Sequence, residues 1–263
     1  MPLEARKIAL QLWTLREHLQ TEADVARTFA RVREIGYEHV ELGGLVRMPP
    51  AQVKALAAAA GLGIVATHED AREIIAQPRK VADRLSDLGC RFAAYPHPHQ
   101  PLETLDQVFK LADDLSRSGE ALRSRGQLLT YHNHSLEFRK LGGKAILDWL
   151  YERADPVMLH GELDTYWVQA GGGDPAGYCA RLSGRLPLLH LKDYAIDRKN
   201  EPTMAALGEG NLNFPVILRE ADAAGCEWFV VEQEGGVDDA FEAIAVSLRY
   251  LKSLEPHRRE PAP

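Results

Sequence analysis

The residues best suited to chemistry stand in one short stretch, Thr130-Tyr131-His132-Asn133-His134-Ser135-Leu136-Glu137-Phe138. Two imidazoles, an amide and a carboxylate fall between positions 132 and 137. The apolar run 127–130 before them follows Gly126 and reads as a buried strand. A strand that ends in titratable, metal-competent side chains makes a poor core and a good site. The same arrangement recurs along the chain. Other short apolar runs end in Glu41, His68, His97, Asp164, His190 and Glu232, with Lys192 just past His190, and Trp13 closes the first run. Some of these have ordinary readings as well. Glu41 can simply leave a sheet for water, Trp13 can pack, and His97 and His99 stand between prolines in a loop. His160, inside its run, reads as a satisfied structural histidine, while Glu162 alternates with Asp164 and shares its face.

The elements that must position these groups follow from the spacing of the apolar residues. Helical periodicity covers 21–35, 51–60, 74–88 with a break at Pro78, 102–125, 145–153, 175–182, 214–224 and 237–251. Asp174 and Asn213 are placed to cap helices, with Pro175 at a first helical position. Gly36, Gly61, Gly89, Gly126, Gly184 and Gly225 each separate a helix from the strand after it. Alternating strand and helix units in 263 residues, with no linker-like composition, predict a single (β/α)8 TIM barrel over 1–263, with 255–263 a flexible tail. A doubly wound open sheet is the alternative, and it lacks a Gly-rich phosphate loop after the first strand. In the barrel the strand C-termini share one face, so Asp164, His190 and Glu232 become neighbours. Three such groups repel or go unpaired unless a divalent cation neutralises them.

Composition excludes other classes. A net charge of −7 argues against a nucleic-acid partner, which calls for a basic face. No apolar run approaches the roughly 18 residues of a membrane span, and residues 1–7 are charged with no signal core behind them. Cys90, Cys179 and Cys226 are scattered without CxxC spacing and read as reduced thiols of a cytoplasmic protein.

Five motifs together resemble the xylose isomerase-like sugar isomerase/epimerase superfamily. They are His-Asn-His-x-x-Glu-Phe at 132–138, Glu-Leu-Asp-Thr-Tyr-Trp-Val at 162–168, His-Leu-Lys-Asp-Tyr at 190–194, Gly-Glu-Gly at 208–210 and Val-Val-Glu-Gln at 230–233. Leu-Gln-Leu-Trp-Thr-Leu-Arg at 10–16 and Val-Glu-Leu-Gly at 40–43 are similar to the first two strands of that group. The resemblance implies a TIM barrel holding one divalent metal, Mn²⁺, Mg²⁺, Co²⁺ or Zn²⁺, through Glu, Asp, His and Glu from the fifth to eighth strands. Asp164, His190 and Glu232 match three of these positions. The fifth strand ends in no carboxylate, so Glu137 is the expected fourth ligand, with His132 and His134 competing.

The expected reaction is proton abstraction next to a carbonyl of a sugar or cyclitol, with Glu137 and Glu232 as the proton-transfer pair. Trp13, Glu41, His68, His132, His134 and Lys192 are expected to bind substrate. Isomerisation or epimerisation is the leading outcome, and dehydration or lyase chemistry at the same site is the second. An abasic-site endonuclease and a non-catalytic sugar-binding barrel are the distant alternatives. By analogy with the superfamily, the protein is expected to form a homo-oligomer.

Overall fold

Eight runs of four to six residues form the strands of a barrel in this computed structural model, which describes residues 7–254. They are β1 (Ile8–Gln11), β2 (His39–Leu42), β3 (Gly63–His68), β4 (Phe92–Tyr95), β5 (Leu128–His132), β6 (Leu159–Asp164), β7 (Leu188–Leu191) and β8 (Trp228–Val231). All pair in parallel in chain order, and β1 closes on β8 through Ile8↔Phe229, Ala9↔Val230 and Leu10↔Val231. The strands read as near-continuous apolar runs because helices cover one face and side chains fill the other. The expected (β/α)8 barrel is therefore the fold. The flexible tail expected at 255–263 lies outside the described residues.

The helices are α1 (Glu22–Ile35), α2 (Pro50–Ala59), α3 (Ala71–Ala76), α4 (Pro78–Leu88), α5 (Leu105–Arg123), α6 (Ile146–Arg153), α7 (Thr165–Ala170), α8 (Pro175–Arg181), α9 (Phe214–Ala223) and α10 (Ala240–Ser253). Local chemistry sets their ends. Thr21 accepts from the Asp24 amide at the start of α1, and Gly36 closes it in the left-handed region at φ 114°. Pro78 divides the 74–88 segment into α3 and α4, as its missing N–H requires. The stripe Val81, Ala82, Leu85 and Leu88 of α4 is buried and belongs to the continuous apolar layer between helices and barrel. Cys90, Cys179 and Cys226 are buried free thiols, as their spacing predicts.

Inside the barrel the alternation of side chains separates two zones. Ala9, Val65, Ala66, Phe92, Leu188 and Val230 form a small apolar plug of their own. Two residues further along β7 and β8, on the same inward face, come His190 and Glu232. The polar groups thus occupy the C-terminal half of the interior.

Three local features depart from the sequence reading. The first strand ends at Gln11, whose Oε1 accepts from the Trp13 amide at 3.0 Å and turns 12–18 into a 3-10 helix. Helix α7 is additional, because Asp164 both ends β6 and caps α7, its Oδ1 accepting from the Trp167 amide at 2.9 Å. The segment before the helix from 214, to which the apolar spacing assigns no element, contains a hairpin, Asp193–Ile196 with Pro202–Ala205. Buried Asp193 pins its base by accepting from the amides of Tyr194, Gly208, Gly210 and Leu212 at 2.9–3.1 Å. Asp193→Ala is expected to cost about 2 kcal/mol in chemical denaturation, given partly solvated donors. Hydrogen exchange should accelerate at 208–212, and unchanged exchange there would refute the pinning role.

Candidate metal centre

Period-two alternation brings the chemistry together. Glu162 and Asp164 point inward from β6, His190 from β7 with Lys192 two residues on, and Glu232 lies one residue past β8. Thr165 ties the ends of β6 and β7: its Oγ1 donates to the Lys192 carbonyl at 2.8 Å and accepts from the Lys192 amide at 2.9 Å. Asn133 Oδ1 accepts from the Asp164 amide at 3.1 Å, fixing β5 against β6. His132, Asp164, His190 and Glu232, all buried, offer ligand atoms within 4.8 Å of one another.

His190 sits at the middle of this arrangement. Its Nδ1 lies 3.0 Å from Glu232 Oε2, and its Nε2 lies 2.7 Å from Glu41 Oε2 and 3.1 Å from Glu162 Oε1. Burial alone would lower its pKa, but the Glu162 and Glu41 carboxylates outweigh that and hold it well above its ordinary value. Lys192 Nζ is wholly enclosed, 2.9 Å from Asp164 Oδ2, 2.8 Å from Glu232 Oε2 and 2.5 Å from Glu234 Oε1. Burial works against this charge, but the three carboxylates raise the Lys192 pKa above its ordinary value. Burial would raise the carboxyl of Glu232, yet Lys192 and then His190 hold it well below the usual range. Asp164 is pushed up to about 6 by burial, against the pull of Lys192. Burial drives His132 well below its ordinary value, and burial with the Lys192 charge lowers His134 to about 4. Both rings are therefore neutral at pH 7.

The donor set fits a divalent cation. Asp164 spends Oδ1 on the α7 cap, while its enclosed Oδ2 accepts no hydrogen bond, although Lys192 stands beside it. Neutral imidazole with carboxylate is a hard-to-borderline ligand set suited to Mg²⁺, Mn²⁺, Co²⁺ or Zn²⁺.

The structure places the remaining candidates as follows. Glu137 is not in the group. The 3-10 turn Ser135–Phe138 folds it back onto its own strand, where Oε1 accepts from Tyr131 Oη at 2.8 Å and Oε2 from the His134 amide at 2.9 Å. Burial pushes its carboxyl up to about 7. His132, the competing ligand on β5 itself, is the residue that converges with Asp164, His190 and Glu232. Glu41 is fully buried beneath His68 and His190, where it supports rings rather than facing solvent. His68 and His134 are half-buried, and Trp13 is 43% exposed with the Arg16 guanidinium 5.2 Å from its ring centroid. His97 is exposed, and His99 Nδ1 pairs with Tyr95 Oη at 2.6 Å, away from the group. Glu234 and Trp167 were not singled out from sequence. The signal for Glu234 was its position two residues past Glu232. Trp167 stacks 5.2 Å from His134, which only the unexpected α7 makes possible.

Glu137→Ala tests the division of roles. It leaves two donors unpaired in the interior and is expected to cost about 3 kcal/mol in denaturant unfolding. Metal bound per chain should not change. Loss of metal without loss of stability would return Glu137 to the ligand set.

Comparison with known proteins agrees with the barrel fold. A family model described as xylose isomerase-like TIM barrel matches residues 29–254. A sugar phosphate isomerase/epimerase from Parabacteroides distasonis ATCC 8503 superposes with a TM-score of 0.82 at 25% identity, covering 96% of each chain. An inosose dehydratase of Geobacillus kaustophilus is 24% identical over 88% of this chain and 87% of its own length. A second, from Geobacillus thermodenitrificans, is 28% identical over 58% of this chain, and the match spans 56% of that relative.

Proposed function

The chain belongs to the xylose isomerase-like TIM barrel family, and from that premise we propose that it is a divalent-metal-dependent isomerase or epimerase of a sugar or keto-sugar. The observation that carries the reading is the convergence of His132, Asp164, His190 and Glu232 at the C-terminal end of the barrel. Asp164 and Glu232 supply charge to the cation. His190 presents Nδ1 as neutral imidazole while Nε2–H donates to Glu41, the outer acceptor that fixes the ring. His132 takes the fourth place. A cation held by these residues would acidify a C–H next to a carbonyl and would offset the charge that develops on the oxygen.

The chain's own groups then divide the work. Glu232 is the carboxylate that removes the proton. Lys192, a cation beside it, is placed to protonate an oxygen. His134 and Trp167 border the group, with His68 and Trp13 available for hydroxyls and a sugar face. A second reading, dehydration of a keto-sugar or inosose, is favoured by two observations. The inosose dehydratase relatives are one. The position of Glu137 is the other, because Glu232 then lacks the second carboxylate expected for transfer on both faces of a carbon.

Keto-sugars and inososes incubated in deuterated buffer with Mn²⁺ test both. Deuterium uptake without mass loss supports isomerisation or epimerisation, and loss of water supports dehydration. No exchange and no turnover across the screen would end the enzymatic reading. Among the described residues no helix is long and apolar enough to cross a membrane. A homo-oligomer is the expected assembly, and a monomer in light scattering at micromolar protein would refute it.

A further inference from the structure

On the core side of His132 and His190 lies a second group, centred on Glu162, a carboxylate to which the reaction above gives no role. Glu162 stands one inward position below Asp164 on β6, Glu41 reaches in from β2, and His68 ends β3. His68 Nε2 is 2.7 Å from Glu162 Oε1 and 3.6 Å from Glu41 Oε1. His132 Nδ1 is 3.3 Å from the same Glu162 oxygen. Both carboxylates have no solvent exposure. Among the described residues, the charged or chargeable side chains paired with them are imidazoles only. Two enclosed carboxylates need compensating positive charge, which either protons on the rings or a cation can supply.

The geometry points to the cation. We propose that Glu41, His68, Glu162 and His132 form a second divalent-metal position beneath the mouth centre, of the kind that takes Zn²⁺ or Co²⁺. Two enclosed atoms of this group, Glu41 Oε1 and His132 Nδ1, have no hydrogen-bond partner. Of the proposed ligands, His68, His132 and Glu162 offer ligand atoms within 4.8 Å of one another, together with His190, and Glu41 Oε1 lies 3.6 Å from His68 Nε2. Two nitrogens and two oxygens make a borderline set matched to tetrahedral Zn²⁺. Thr130 Oγ1 donates to Glu162 Oε2 at 3.1 Å, leaving Oε1 for the metal, and His190 Nε2–H stays with Glu41 Oε2 at 2.7 Å, leaving Oε1. His132 stands between the two positions. With both positions filled, His132 would serve each through a different ring nitrogen, and both nitrogens would then be deprotonated. A cation there would fix the charge and tilt of the His68 and His132 rings.

The inference rests on the proposed mouth centre only in sharing the His132 ring, and the test separates them. Metal-stripped protein is dialysed against Zn²⁺, and separately Co²⁺, and bound metal per chain is measured by elemental analysis. Wild type is expected to hold two equivalents, with one in Glu162→Gln and one in Asp164→Asn. His68→Ala, at the more exposed edge of the group, repeats the loss if Glu162→Gln fails to fold. One equivalent in wild type and in both Glu162→Gln and His68→Ala, with none in Asp164→Asn, overturns the second position and leaves the mouth centre standing. One equivalent that survives Asp164→Asn and is lost in Glu162→Gln does the reverse. No bound metal in any of the proteins overturns both.

Discussion

Glu232→Gln is expected to lower turnover by about three orders of magnitude at saturating Mn²⁺, within the range general acid–base groups contribute. The substitution keeps shape and removes charge. Lys192 and His190 both face this carboxylate, at 2.8 and 3.0 Å, so they lose their common anionic partner and keep at most a neutral acceptor when it becomes an amide. Two effects should separate on titration with metal. Weakened metal binding is overcome by added Mn²⁺, whereas loss of the proton-transfer group is not. Residual turnover at saturating metal therefore measures the second effect alone. Wild-type turnover under those conditions would mean that another residue moves the proton. Asp164→Asn, by contrast, should recover most of its activity as metal is raised.

The largest expected effect on stability comes from Lys192→Met. The methionine fills the volume but leaves Asp164, Glu232 and Glu234 converging on no ammonium. Breaking a buried pair by removing one partner costs about 3–5 kcal/mol. The figure here is about 4 kcal/mol in the metal-free protein, since Glu234 is partly open to solvent. Added Mn²⁺ or Zn²⁺ should restore much of it by replacing the missing charge. The pH dependence has a definite sign. Asp164 already titrates above its ordinary value, at about 6, through burial, and without Lys192 it moves higher. The folded state then binds more protons than the unfolded state between those limits, so the variant loses stability as pH rises through them. The deficit should shrink on acidification towards pH 4 in thermal melts. A variant as stable as wild type at pH 8 without metal would show that Lys192 does not hold these carboxylates together.

The sequence made the barrel and most of this site legible for a physical reason. A parallel barrel strand is short, apolar and stopped by helix-ending glycines, and the residues at its C-terminal end have one place to go. Asp164, His190 and Glu232 stand out because their positions follow from strand alternation alone. Glu137 did not, since its position depends on a 3-10 turn whose partners, Tyr131 Oη and the His134 amide, are visible only once the chain folds back. Lys192 shows the same limit. Its surroundings are set by the register of three strands, which brings Asp164, Glu232 and Glu234 around one ammonium. Nothing local to the motif at 208–210 reveals that Asp193, fifteen or more residues earlier, holds its amides.

The apolar plug formed by Ala9, Val65, Ala66, Phe92, Leu188 and Val230 closes the barrel below the polar groups. It makes the site a blind well with one entrance. Under the proposed reaction, substrate and product would use the same opening in turn, and water displaced by an arriving sugar would have no rear exit. Traffic through the mouth, bordered by the exposed Trp13, is therefore a step that can limit the rate independently of the chemistry beneath it.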